Sequence, residues 1–168
     1  MFDQMERMKI IDLIKSRDQK VSRTIENNQI PFFNQFFGSI TSLGSAYFSF
    51  ILIGFLWSFD QTIIASKISI GLVANGLAIF SLKFISGRKR PQKHIENLFS
   101  NASFPSGHSA NAFMNATILS AYLDRALGFL TLAALIALSR VYLEDHYPSD
   151  IITGSVIGAV IGQILITV

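Results

Sequence analysis

The chain is organised around a short polar stretch at the head of an apolar run, Phe104-Pro105-Ser106-Gly107-His108-Ser109. Proline suits the first turn of a helix, and glycine lets a ligand approach the backbone closely. The free N–H groups of a first helical turn attract anions. We therefore predict that a helix begins at Pro105 and that its N-terminal end forms an anion-binding site.

Two charged clusters flank this stretch, one on either side, and each lies where an apolar segment begins or ends. The preceding cluster holds Lys83 and Arg90-Pro91, and the following cluster holds Ser139-Arg140, His146 and Asp150. Because all three clusters lie at segment ends, we expect them to meet at one face of a helical bundle.

The composition indicates a membrane protein. Half of the 168 residues are hydrophobic and 15% are charged, whereas soluble domains carry about 25% charged residues. The mean hydropathy is +0.43 and the pI is near 9.3. Many basic residues lie beside apolar segments, which favours a lipid phosphate over a nucleic acid as the partner. The sequence contains no cysteine, which excludes a disulfide and a thiolate nucleophile.

Five apolar segments have about the length that crosses a bilayer, roughly 20 residues. They cover 36–59, 63–85, 105–123, 127–143 and, starting at 150 or 151, the rest of the chain to 168. The fold class is therefore an all-α integral membrane bundle of about five transmembrane helices. We expect one domain over 1–168, with its transmembrane core at 36–168.

Two further patterns concern the ends of the chain. Residues 2–25 mix charged and apolar positions, which predicts an amphipathic helix within 1–30 that lies in the membrane interface. A solvent-exposed helix packed on the body of the protein fits the same pattern. This segment lacks the apolar core of a signal peptide, so we expect no cleavage.

Gly154, Gly158 and Gly162 are spaced by four residues, which favours close helix contact, although such glycines also fill tight bundles.

An odd number of crossings places the loops 86–104 and 144–149 on the same face. Lys83, Arg90 and Arg140 then converge there with the N-terminal ends of two helices, which suits a doubly charged phosphoryl group. Each cation taken alone is also explained as a basic side chain that snorkels to the membrane surface. The convergence of three cations and two histidines favours a phosphate site.

The two histidines of these clusters have different neighbours. Asp150 follows His146 by four residues and can fix its tautomer, which makes His146 the better nucleophile. His108 has no carboxylate in reach along the sequence and is better suited to protonate the leaving oxygen. His94 has no matching partner and is left out. Glu144, Asp145, His146 and Asp150 could together hold a metal, but the neighbouring cations would repel it, so we expect none.

The three motifs resemble the signature of the type 2 phosphatidic acid phosphatase superfamily. They read Lys83-x6-Arg90-Pro91, Pro105-Ser106-Gly107-His108 and Ser139-Arg140-x5-His146-x3-Asp150, and they cover 83–150. The resemblance implies a metal-independent lipid phosphatase without a cofactor. In it His146 attacks phosphorus, Asp150 orients His146, and His108 protonates the leaving group. The phosphate-binding residues it implies are Lys83, Arg90, Ser106, Gly107 and Arg140.

The motifs leave the lipid open. The short chain is similar to the compact bacterial undecaprenyl-diphosphatases, whose site faces outward from the cell membrane. Phosphatases of phosphatidylglycerophosphate, phosphatidate and lipid A 1-phosphate share the signature. The basic residues crowd the face of the site and favour a cytoplasmic orientation by the positive-inside rule, but we follow the resemblance and expect an outward site. A non-catalytic phospholipid binder and a vanadate-dependent oxidant are the rival classes, and the oligomeric state is open.

One departure concerns the residues just before the presumed nucleophile. Glu144 and Asp145 are both acidic, where many relatives carry less acidic residues. We expect them either to raise the pKa of His146 or to disfavour highly anionic substrates.

Overall fold

The computed structural model describes residues 2–91 and 102–168, and this part of the chain is helical. Among the described residues the single β-type pairing is an isolated bridge between Lys89 and Ala102. The helices are α1 (Phe2–Glu26), α2 (Pro31–Thr41), α3 (Ala46–Ser58), α4 (Thr62–Ser86), α5 (Gly107–Leu123), α6 (Ala126–Tyr142) and α7 (Pro148–Thr167). The predicted all-α class is confirmed.

The first apolar segment is broken. We expected a continuous span over 36–59, but α2 and a 3₁₀ turn at Ser42–Gly44 meet α3 at an angle of 59°. The hydroxyl of Ser45 accepts from the backbone N–H of Phe48 and caps the new helix. A serine cap satisfies a free N–H group at a helix start, so the chain can change direction inside an uncharged run.

Helix α5 is the central element of the bundle and packs against α4, α6 and α7. Its buried side chains include Met114 and Ile118, which are fully enclosed by the other helices. A core cluster forms around them with Ile68 of α4 and Leu165 of α7. Because α5 is covered on most sides by protein, small and polar residues are tolerated along it.

Three glycines of α7 face the backbone and side chains of α5. A Cβ on Gly154 would lie 2.3 Å from the carbonyl oxygen of Ser106, and one on Gly158 would lie 2.0 Å from that of Ala110. A Cβ on Gly162 would lie 2.8 Å from Thr117 Cβ. The four-residue spacing therefore marks a close helix contact, as small residues allow in membranes.

The outer surface of the bundle is apolar, as a lipid-facing surface must be. Helix α4 alone exposes Ile63, Ile70, Val73, Leu77, Phe80 and Phe84. By length and apolar composition α4 and α7 can each cross a membrane, and the bent α2–α3 pair makes a third span if it is counted as one. Helices α5 and α6 have 17 residues each, which is at the lower limit of roughly 17 for crossing. The count of five crossings stays a prediction.

Helix α1 has two different halves. Its second half packs on α6 and α7, where Asp18 and Ser22 are buried and Ile25 borders a core cluster. Its first half exposes an apolar set, Met5, Met8, Ile10, Ile11, Leu13 and Ile14. The predicted helix is present, and it combines contact with the body and an uncovered apolar surface.

Candidate active site

Helices α5 and α7 begin side by side, and this places two of the three motifs together. The backbone N–H of Ser106 donates to the carbonyl of Asp150 at 3.0 Å. Ser106 is the N-cap of α5, and its hydroxyl accepts from the N–H of Ser109 at 3.4 Å. The helix therefore begins at Gly107, and Pro105 precedes the cap instead of occupying the first turn. The prediction erred here because the serine side chain, and not the proline, starts the helix.

Arg140, near the end of α6, is buried beside the same helix ends. It donates to the hydroxyl of Thr41 at 2.8 Å and pairs with Asp145 at 2.9 Å. Its buried Nε has no partner among the described residues. Arg90 donates to the carbonyl of Asp145 at 3.2 Å and lies 3.5 Å from its carboxylate. The Asp145 carboxylate thus lies against both arginines.

Lys83 completes the cationic side of the site from the end of α4. Its ammonium donates to the carbonyl of Ala102 at 2.5 Å, next to the stretch that leads into α5. Gly107 lies on the facing helix end, where a Cβ would meet only Ile79, at an ordinary 3.6 Å. The predicted phosphate-binding residues therefore come from the ends of α4, α5 and α6 and the adjoining loops.

His146 is 2% exposed and lies in the loop before α7. The backbone N–H of His146 donates to the carbonyl of Arg140 at 3.0 Å. The ring nitrogen Nδ1 lies 3.6 Å from Asp150 Oδ2. That separation is longer than a hydrogen bond, so the carboxylate faces Nδ1 without bonding to it in this geometry. Such contacts often tighten only when substrate is bound.

The pKa of His146 is lowered to about 4, mainly by burial and also by the charges of Arg90, Arg140 and Lys83, while Asp150 opposes the shift. The ring is therefore neutral at pH 7, with a lone pair available for attack. Desolvation favours the neutral form of an imidazole, and neighbouring cations act in the same direction.

His108 occupies the first turn of α5 and faces the other charged groups. It interacts electrostatically with Arg140, His146, Arg90 and Lys83. The 3₁₀ turn before α3 lies against it, since a Cβ on Gly44 would be 2.9 Å from the His108 carbonyl. The structure thus gathers the histidines and cations that the sequence predicted around one small space.

Of the two effects expected of the acidic pair before His146, a raised pKa of that ring is not found, and discrimination against highly anionic substrates stays a prediction. Glu144 is buried and accepts from Gln29 Nε2 at 2.8 Å, while Asp145 pairs with the two arginines. The pKa of His146 is lowered and not raised. Among residues 2–91 and 102–168, no group of three or more metal-ligating side chains comes together.

Sequence reasoning missed three contacts at this site. Arg88, which the three motifs leave unspecified, binds Asp150 Oδ1 at 2.7 Å. Asp18 of α1 binds Arg88 at 2.6 Å, and Thr41 binds Arg140. The position of Arg88 two residues before Arg90 was the available signal. Asp18 and Thr41 are distant in sequence and gave none. His94 lies outside the described residues.

The model of the PAP2 superfamily matches residues 63–168. The chain belongs to the PAP2 superfamily. Among curated relatives, the lipid A 1-phosphatase of Rhizobium johnstonii is 35% identical over 99 residues, which are 52% of this chain and 41% of that protein. The decaprenylphosphoryl-5-phosphoribose phosphatase of Mycobacterium tuberculosis is 33% identical over 100 residues, 55% of this chain and 54% of that protein. The chain thus matches about half, or less, of the length of these relatives.

Two crystal structures of PAP2-like proteins have the same fold over nearly the whole chain. LpxE of Aquifex aeolicus is 31% identical with a TM-score of 0.78, over 89% of this chain and 94% of that one. The transmembrane PAP2 type phosphatidylglycerolphosphate phosphatase of Bacillus subtilis is 25% identical with a TM-score of 0.80, over 92% of this chain and 85% of that one. Membership in the PAP2 superfamily and a membrane-embedded helical fold are therefore established together.

Proposed function

We propose that this PAP2 protein hydrolyses a phosphate ester of a membrane lipid through a phosphohistidine intermediate. The observation that carries the proposal is the neutral, buried ring of His146, held between Asp150 and three cationic side chains. A neutral imidazole can attack phosphorus, and the cations offset the charge on the equatorial oxygens.

In the first step His146 attacks with the nitrogen that does not face Asp150, which is Nε2. A bond forms between Nε2 and phosphorus, and the bond from phosphorus to the lipid oxygen breaks. The leaving oxygen takes the electron pair and a proton from His108. Asp150 stabilises the positive charge that the ring of His146 gains.

In the second step water attacks the phosphohistidine. His108, which has lost its proton to the first leaving group, accepts a proton from the water. A bond forms between the water oxygen and phosphorus, and the bond from phosphorus to Nε2 breaks with its electron pair returning to Nε2. Inorganic phosphate leaves, and His146 returns to its neutral form. Throughout both steps Lys83, Arg90, Arg140 and the first turn of α5 at Ser106 and Gly107 bind the phosphoryl oxygens.

The lipid is the finer part of the proposal. Undecaprenyl diphosphate is the substrate expected from the sequence, and phosphatidylglycerophosphate, phosphatidate and lipid A 1-phosphate are the alternatives. The names of the relatives support two of the alternatives, since they mention lipid A and phosphatidylglycerolphosphate. A further relative is named for decaprenylphosphoryl-5-phosphoribose. A panel of these lipids, assayed for phosphate release by the purified protein, selects among them.

The proposal includes metal independence and a site that faces outward from the cell membrane. Three cations around the phosphate position supply the charge that a divalent ion would otherwise supply. Chelation should therefore leave turnover unchanged. A membrane-impermeant substrate added to intact cells and to inverted vesicles tests the orientation, and hydrolysis by inverted vesicles alone would reverse it.

The mechanism is tested by His146→Ala and His108→Ala, with His94→Ala as the matched control. We expect both site variants to lose hydrolysis of the lipid, and the control to keep it. A ³²P-labelled substrate, quenched in base to preserve phosphohistidine, should label the wild-type protein and leave His146→Ala unlabelled. Phosphate release by His146→Ala at the wild-type rate would refute the nucleophile.

An aryl phosphate with a good leaving group separates the roles of the two histidines. Its departing oxygen needs no proton, so His108→Ala should still form the phosphohistidine while its breakdown slows. His146→Ala should form none. If His108→Ala blocks labelling by the aryl phosphate and by the lipid equally, His108 does not act as the general acid.

A further inference from the structure

Arg88 occupies a position that the three motifs leave unspecified, and it connects α1 to the proposed catalytic pair. One nitrogen of its guanidinium donates to Asp150 Oδ1 and to Ser149 Oγ, both at 2.7 Å. The other donates to Asp18 Oδ2 at 2.6 Å. The guanidinium carbon also lies 4.2 Å from the centre of the Tyr147 ring. The guanidinium is planar, so its contacts with two carboxylates and an aromatic ring fix its orientation.

Asp18 reaches the start of α7 from the middle of α1. Its carboxylate accepts from the backbone N–H of Ser149 at 3.1 Å and from the Ser149 hydroxyl at 2.5 Å. It is 3% exposed, although it belongs to a helix that is mostly exposed. Ser149 is the second residue of α7, so Asp18 accepts a hydrogen bond from one of the free N–H groups at that helix start. The negative charge of Asp18 also stabilises the positive end of the helix dipole.

These contacts fix both oxygens of Asp150. Oδ1 is held by Arg88, while Oδ2 accepts from the backbone N–H of Tyr147 at 2.8 Å and faces His146 Nδ1. The Asp150 side chain is 0% exposed, so its carboxylate is enclosed by protein groups. The plane of the carboxylate, and with it the position of Oδ2 beside the imidazole, depends on Arg88.

We propose that Arg88 and Asp18 are positioning residues, through which α1 holds the Asp150 carboxylate in place beside His146. The inference rests on the proposed role of His146 and adds two residues that the family motifs do not specify. Helix α1 then helps to fix the geometry of the site, in addition to packing on the bundle. Neither residue needs to touch the substrate, because both act through Asp150 and the first turn of α7.

The test uses Asp18→Asn and Arg88→Gln, each with a control that makes the same chemical change nearby. Asp12→Asn changes an exposed acid on the same helix, and Lys89→Gln removes the exposed charge beside Arg88. We expect both test variants to lower kcat at least tenfold with little change in KM, because the phosphate-binding groups are untouched. Both controls should stay within about twofold of the wild type, as is usual for exposed substitutions.

Coupling through Asp150 distinguishes positioning from a general structural role. If Arg88 acts through Asp150, then Arg88→Gln added to Asp150→Asn should cause no further loss in the rate of phosphohistidine formation. Asp18→Asn and Arg88→Gln combined should lose less than the product of their separate effects, since they break one network. Independent, multiplicative losses in either cycle would overturn the proposal.

Arg88→Lys keeps the positive charge but can hold fewer partners than the fork, and it covers the case in which Arg88→Gln fails to fold. It should keep the elution profile and melting temperature of the wild type while kcat falls. If Arg88→Lys and Asp18→Asn both keep the wild-type kcat while His146→Ala is inactive, the positioning role is rejected and the proposed function stands. Activity retained by His146→Ala would reject the proposed function itself.

Discussion

Replacing Gly158 by alanine should push apart the two helices that carry the site. The new Cβ would stand 2.0 Å from the carbonyl oxygen of Ala110 and 2.9 Å from its Cα. Ordinary contact needs roughly 3.5 Å, so α7 must retreat from α5 by about 1.5 Å unless the backbone bends. Both neighbouring atoms belong to a helix backbone, which cannot rotate away as a side chain does.

Overpacking of this kind costs about 1 to 3 kcal/mol. For a chain of this size each kcal/mol lowers the melting temperature by about 2 to 4 °C, so we expect a fall of roughly 2 to 12 °C. Activity should fall as well, because a displacement of about 1 Å in a catalytic group can cost a hundredfold in rate. Asp150 lies two turns before Gly158 on the same helix, so it moves with the helix.

The measurement is thermal unfolding and turnover of the purified protein in detergent. Gly76→Ala and Gly128→Ala are the controls, because a Cβ at either position meets no atom of the described residues within 4 Å. They should be neutral or slightly stabilising, as alanine favours a helix by up to about 1 kcal/mol over glycine. If Gly158→Ala melts and turns over like Gly76→Ala, the close contact of α5 and α7 is not required.

Three further predictions concern the charged groups. The pKa of His146 is about 4 in the folded chain, below the unfolded value of roughly 6.5. The contribution of this group to the free energy of unfolding should therefore be constant above roughly pH 6.5. It should fall by about 3 kcal/mol as the pH drops from roughly 6.5 through 4. His146→Gln, which never titrates, should flatten that slope in denaturation curves, and an unchanged slope would contradict the assignment. Asp145→Asn should strengthen inhibition by vanadate several-fold, because the carboxylate that neutralises Arg90 and Arg140 is lost; Glu144→Gln is the control, and weaker inhibition would count against the reasoning. Thr41→Val should raise KM about tenfold, as expected for a hydrogen bond to a charged group, while Thr41→Ser and the control Thr117→Val should not; equal KM values for both valine variants would exclude a role for Thr41.

The helices from α4 onward could be predicted because charge and apolar length mark them clearly. The sequence predicted 63–85 and 127–143, and the structure has Thr62–Ser86 and Ala126–Tyr142. The bend before α3 could not be predicted in this way. The run over 36–59 contains no charge, and a single serine cap inside it resembles any other small polar residue.

The convergence of the three motifs could be predicted because each stands at the end of an apolar segment, and such ends meet at a membrane face. The partners of those residues could not. Asp18 reaches Ser149 across 131 positions of sequence, and nothing in α1 distinguishes Asp18 from the exposed Asp12 before the fold is known. Burial of a single acid is a property of the packed helices, not of the local pattern.

The bond between Ser106 N–H and the Asp150 carbonyl ties α5 and α7 together at their first turns, and the glycine contacts continue that tie along their length. Bilayers differ in thickness by several ångströms, and helices adapt by tilting or by adjusting their ends. In this chain such hydrophobic mismatch would be absorbed at the opposite ends, near Leu123 and Thr167. The catalytic geometry should therefore stay constant in thin and thick membranes, because it is set where the two helices start and not where they finish.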